Sequence, residues 1–150
     1  MTAAAERRPL SALQETLAAE HAAVHVYAVL GGRVSALTDP ITTDRFREAY
    51  ETHRARRDQL RSEIADLGKA PEPAAAAYEV DALTRDADEL LRVARLTEDR
   101  CAAVYAQLVA STSGGQRRWA IGALTDAAVR VLSLGGTAAA YPGAAELERR

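Results

Sequence analysis

The chain reads as an all-α protein, a four-helix bundle, on three observations. Apolar residues recur at helical spacing in four long stretches, Gly, Pro and Asp punctuate the gaps between them, and no stretch alternates with the period of a strand. The 150 residues make one domain, with the bundle over about 10–136 and a polar tail over 137–150. Hydrophobic residues form 48% and charged residues 27% of the chain, enough apolar matter for a core and enough charge for solvated outer faces.

Helix 1 is expected to open at Ser11, whose spacing to Gln14 is that of a capping box. Its inner stripe is Leu13, Leu17, Glu20, Val24, Tyr27 and Gly31, and it fades at Gly31-Gly32. Asp39-Pro40 then supplies an N-cap and a first-turn proline for helix 2. Helix 2 carries Phe46, Ala49, His53, Arg57, Leu60, Ile64 and Leu67 on one face, and Gly68 stops it. Residues 69–82 contain Pro71 and Pro73 and no period, so they read as a connection.

Asp81 is placed as the cap of helix 3, whose inner face is Leu83, Ala87, Leu91, Ala94, Glu98, Cys101, Tyr105 and Leu108. The run from Ser111 to Gly115 is a short turn. Helix 4 follows from about Gln116 to Leu134, with Trp119, Ala123, Ala127, Val131 and Leu134 facing in, and Gly135-Gly136 ends it. The first and third links are short, so each helix pair is an antiparallel hairpin. The middle link, about 14 residues, reaches roughly 46 Å when extended. A 26-residue helix is about 39 Å long. The link can therefore run the length of the bundle, which gives an up-down-down-up order with one crossover between helices 2 and 3.

Charge and composition exclude several functions. The net charge of −2 and pI near 5.9 leave no electrostatic footprint for nucleic acid or an anionic membrane. Acidic and basic residues are interleaved, as on solvated helix faces. No uncharged run reaches the roughly 18 residues of a membrane span. The N-terminus has no signal-peptide core. The single cysteine, Cys101, excludes an intramolecular disulfide and a cysteine-based zinc site, and a cytoplasmic location is expected. No phosphate loop, catalytic triad or dinucleotide fingerprint occurs.

The anomaly is on the inner faces. Glu20 occupies the centre of the helix 1 stripe, where a core residue belongs, and a buried carboxylate needs a metal, a cation or a proton. His53 and Glu98 hold comparable places on helices 2 and 3, and Asp126 lies at the edge of the helix 4 face. At about 1.5 Å per residue Glu20 and His53 fall roughly 22 and 20 Å from the first turn, and Glu98 and Asp126 roughly 18 and 15 Å from the last. All four can share one layer. Arg57, one turn from His53, is positioned to pair with Glu20 or Glu98, and Arg130 with Asp126. Tyr27, Tyr50 and Tyr105 are core aromatics whose hydroxyls join the layer.

Four helices, one crossover and a polar mid-layer resemble the ferritin-like superfamily. The stretches Ala19-Glu20-His21-Ala22-Ala23-Val24-His25-Val26-Tyr27 and His53-Arg54-Ala55-Arg56-Arg57-Asp58 more narrowly resemble an actinobacterial ferritin-like family of unknown function. Di-iron members of the superfamily place one Glu on each of two helices and Glu-x-x-His on each of the others. The resemblance assigns Glu20 and Glu98 to the lone Glu positions. Helix 2 keeps His53 but has Tyr50 in place of its Glu, and helix 4 offers Asp126-Ala127-Ala128-Val129.

A degenerate site in a structural or interaction module, with no cofactor, is therefore the leading expectation. The alternative is a single iron, manganese or zinc ion on Glu20, His53, Glu98 and Asp126, serving metal handling or redox chemistry. A third reading is a small-ligand pocket oriented by Glu20 or Arg57. His21 and His25 flank helix 1 and read as exposed or interface residues, Cys101 as a small core residue, and Trp119 as a packing anchor. Ala22, Val26 and Val29 make the end of helix 1 apolar on a second side. That face implies a homodimer or cover by the tail from Ala138 to Leu147.

Overall fold

The computed structural model describes residues 3–80 and 85–149, with side chains from Arg8 onward. It contains four α-helices, α1 (Ala3–Arg33), α2 (Pro40–Asp66), α3 (Ala87–Ser111) and α4 (Gly114–Ser133), and a short 3-10 helix, η1 (Ala145–Arg149). No strand occurs among the described residues.

Local chemistry sets most of the ends. The Asp39 carboxylate accepts from the Thr42 amide at 3.0 Å, and Pro40 opens α2. Gly68, at φ 69°, lets the chain close α2, with its amide on Ala65 O and that of Lys69 on Ile64 O. Two starts differ from expectation. Helix α1 begins before Ser11, because the Ala-rich residues ahead of Pro9 propagate the helix and the proline forfeits only one donor. Ser11 is thus interior and its hydroxyl donates to Glu15, so it makes no capping box. The cap of α3 is Asp86, whose carboxylate accepts from the Glu89 amide at 3.1 Å. Asp81 and Leu83 lie outside the described residues.

Three apolar groupings fix the topology. One holds the end of α1 and the starts of α2 and α3: Tyr27, Leu30, Phe46, Ala49, Leu90 and Ala94, closed by Leu134 of α4. A second holds the opposite ends: Leu13, Leu17, Leu60, Ile64, Leu108 and Ala120. These pairings require α1 up, α2 down, α3 down and α4 up. Each fully buried Leu contributes about 2 kcal/mol by leaving water. The third grouping packs small side chains of α1, α3 and α4 at mid-height, among them Ala23, Cys101, Ala123 and Ala127. Those small residues leave room for the polar layer.

The described part of the crossover, residues 67–80, climbs along α1. Gln14 donates to Ala70 O and accepts from the Glu72 amide, both at 2.8 Å. His21 Nε2 lies 3.1 Å from Glu72 O, and the His25 ring packs on Tyr78. The two flanking histidines thus hold the crossover. On the second apolar side of α1, Val26 is packed among Leu90 and Val93 of α3, and Ala22 and Val29 are half-buried. The tail turns instead onto α3 and α4, where Gly143 lies against the Ala102 carbonyl.

Candidate functional site

Glu20, His53 and Glu98 meet at the centre of the bundle, each with no exposed surface. His53 Nδ1 is 2.7 Å from Glu20 Oε2, and His53 Nε2 is 3.1 Å from Glu98 Oε1. Two tyrosines complete the carboxylates. Tyr27 donates to Glu98 Oε1 at 2.5 Å, and Tyr105 donates to Glu20 Oε1. The result is one continuous chain of hydrogen bonds from Tyr105 through Glu20, His53 and Glu98 to Tyr27. The Tyr27 ring also stacks on His53, with centroids 5.5 Å apart and planes at 16°.

The arrangement has an approximate two-fold symmetry that exchanges α1 with α3 and α2 with α4. Tyr27 follows Glu20, and Tyr105 follows Glu98, by the same two helical turns. Each tyrosine donates to the glutamate of the other helix. His53 enters from α2. Ala127 takes the matching place on α4, and Arg130 matches Arg56 instead, with Nη1 3.5 Å from Glu98 Oε2.

Arg130 Nη2 also donates to Asp126 Oδ2 at 3.0 Å, and Arg56 Nη2 reaches the same oxygen at 2.7 Å. Arg56 Nη1 donates to the Tyr105 hydroxyl at 3.2 Å. Three carboxylates, two guanidinium groups and one imidazole therefore form one layer, and it balances in charge when His53 carries its second proton.

The surroundings favour that proton. Burial alone would push the His53 pKa down, but the hydrogen bonds and charges of Glu20 and Glu98 outweigh it and raise the value to about 9. Both ring nitrogens then donate, as each carboxylate contact requires. Burial pushes Glu98 up, but the His53 hydrogen bond and the charges of His53 and Arg130 hold it below the usual carboxylate value. Burial, reinforced by Glu98 and Glu20, pushes the Tyr27 and Tyr105 hydroxyls far up, so both remain donors. The Cys101 thiol is raised by burial and by the same glutamates, which makes it an inert core group.

Several expected site residues lie elsewhere. Arg57 pairs with its neighbour Asp58 at the surface, and Arg56 takes the inner place. Asp126 does not join the His53 carboxylates; it sits at the outer edge of the layer between Arg56 and Arg130. Val129, read as the degraded histidine position of helix 4, is 58% exposed. The inward pair at that spacing is Ala127 and Arg130. Tyr50 is half-buried and packs on the upper apolar grouping. Trp119 meets the Tyr105 ring edge-on and donates to Gln59 at 3.0 Å, tying α4 to α2.

A sequence signal for Arg56 existed. Phe46, Ala49, His53, Arg56 and Leu60 follow alternating steps of three and four, the pattern of helices packed at shallow angles. Ala120, Ala123, Ala127, Arg130 and Leu134 repeat it on α4. A strict 3.6 period drifts off that seam and selects Arg57 instead.

The fold and its mid-layer define the class, an all-α ferritin-like four-helix bundle. A family model described as a domain of unknown function, DUF4439, matches residues 12–146, and the chain belongs to that family. Among solved structures the chain is similar to a conserved hypothetical protein, rv2844, of Mycobacterium tuberculosis. Identity is 25% and the TM-score 0.77, over 90% of this chain and 98% of that one. It also resembles a ferritin-like, diiron-carboxylate protein of Bacillus anthracis in fold, at 18% identity and a TM-score of 0.75, over 90% and 97% of the two chains. No curated protein matches. Among the described residues, no group of three or more His, Cys, Asp or Glu is arranged to hold a metal ion. No described helix is long and apolar enough to cross a membrane.

Proposed function

We propose that this chain is a ferritin-like bundle in which side-chain charge stands where a di-iron centre stands in the metal-bearing class, and that it acts as a structural or interaction module. The observation that carries this reading is the engagement of both His53 nitrogens by carboxylates, at 2.7 and 3.1 Å. A metal-ligating imidazole must offer a nitrogen lone pair, and an imidazolium has none. Arg130 adds a fixed cation beside Glu98. Two iron ions would face that guanidinium, Ala127 stands where symmetry asks for a second nitrogen ligand, and Tyr50 stands one turn before His53, where the metal-bearing class has a carboxylate. The residues present do not fit a di-iron group.

Metal analysis of protein purified from iron-supplemented cells tests the proposal. It predicts far less than one iron per chain and no oxidase-type absorption band; two irons per chain with that band overturn it. One observation favours a second reading, a single metal ion on Glu20, His53 and Glu98. Glu98 Oε2 is buried and makes no hydrogen bond. That reading requires one bound metal per chain, lost in Glu20→Ala.

The interaction role includes self-association. The Val26 side of α1 is covered within the chain, so the outer face of α4, with exposed Ile121, Val129 and Leu132, is the apolar surface we assign to a homodimer. Sedimentation of the wild type and of Leu132→Glu checks it. A wild-type dimer that the substitution dissociates supports the assignment, and a monomeric wild type removes it.

A further inference from the structure

A cavity lies away from the polar layer. It occupies about 510 Å³ between α3, α4 and the returning tail, within the range of small-molecule sites. Its floor is Ala102, Ala103 and Ala128 with Val131, side chains that leave the space open. The tail is built to wall this space. Gly143 has φ 74°, which glycine adopts without strain, and a Cβ there would collide with the Ala102 carbonyl.

Among the described residues the charge of the lining has one sign: Asp99 comes from α3 and Glu146 and Glu148 from the tail. Arg92 and Arg95 line the adjoining cleft, which shares Asp99, Val131 and Glu148 with this cavity. Glu148 accepts from the Ala140 amide, whereas Asp99 and Glu146 make no hydrogen bond or ion pair among the described residues. Tyr141 also lines the cavity, and an aromatic ring offers a face on which a cation can rest.

We infer that this cavity binds an organic ammonium compound with an aliphatic body, the body on the alanine floor and the ammonium held by Asp99 and Glu146. The carboxylates attract a cation and repel an anion. The inference is independent of whether metal enters the central layer, because none of the central residues lines the cavity.

Calorimetric titration with octylammonium, octanoate and 1-octanol, below their micelle concentrations, tests the site on the full chain. Octylammonium is expected to bind with one-to-one stoichiometry and octanoate not to bind. Asp99→Asn, at an exposed position that leaves folding intact, is expected to weaken octylammonium by about tenfold through loss of a charged contact. Ala128→Trp is expected to abolish binding by filling the cavity. Equal binding of octanoate, stronger binding of 1-octanol than of octylammonium, octylammonium binding unchanged by Asp99→Asn, or no saturable binding of octylammonium would each overturn the inference.

Discussion

Arg56 and Arg57 are chain neighbours with opposite roles. The Arg56 side chain is 13% exposed and bonds to Tyr105 and Asp126, whereas Arg57, at 22% exposed, pairs among the described residues with its exposed neighbour Asp58. Removing Arg56 takes a largely buried cation from the Tyr105 end of the layer while Asp126 keeps Arg130, a cost of about 2 kcal/mol from the lost charged hydrogen bonds. Arg56→Ala should therefore lower the urea midpoint clearly. Arg57→Ala should stay within about 0.5 kcal/mol of wild type, as surface substitutions do. Equal effects would mean that the layer is not the stabilising unit described. Residue type alone made Glu20, His53 and Glu98 legible, because ionisable groups on apolar stripes stand out. The choice between Arg56 and Arg57 was not legible from a 3.6 period, since it depends on how far α2 supercoils along its neighbours.

Elements were legible where turn chemistry marks them. Asp39-Pro40 and Gly68 bound α2 as their side chains and φ angles require. The start of α1 was obscured because Pro9 and Ser11 together mimic a helix start, and only the continuous helix from Ala3 removes that reading. The path of the crossover was legible in its length but not in its anchors, which are polar contacts between residues more than fifty apart. Gln14 makes two of them. Gln14→Leu should leave the bundle folded and raise amide exchange at Glu72, whose donor loses its acceptor. Unchanged protection at Glu72 would show that Gln14 does not hold the crossover.

At the scale of the whole molecule, the layer ties stability to pH. His53 has a folded pKa of about 9 against an ordinary 6.5, so its proton stabilises the fold fully below pH 6.5. That contribution is lost as pH rises from 6.5 through 9, on the order of 3 kcal/mol in total. Glu98 acts in the opposite sense. Its folded pKa is lowered, so its contribution is present above the usual carboxylate value and disappears as pH falls through the folded one. Denaturation midpoints should form a plateau between these limits and decline on both sides. His53→Gln should remove the alkaline decline; a variant that keeps it would place the titrating group elsewhere.

The four-helix order was legible at this scale because hairpin links and one long crossover leave few topologies. The charge balance of the layer was not legible, since Arg130 serves both Glu98 and Asp126 and no single helix face contains all three.

The proposed function requires an imidazolium that bridges the two buried glutamates, Glu20 and Glu98. Nitrogen-15 NMR of His53 at pH 7, on protein from iron-supplemented cells, tests it most directly. The account predicts two protonated ring nitrogens that titrate near pH 9. A ring with one unprotonated nitrogen at pH 7, or a His53 signal broadened by a bound paramagnetic ion, would contradict it.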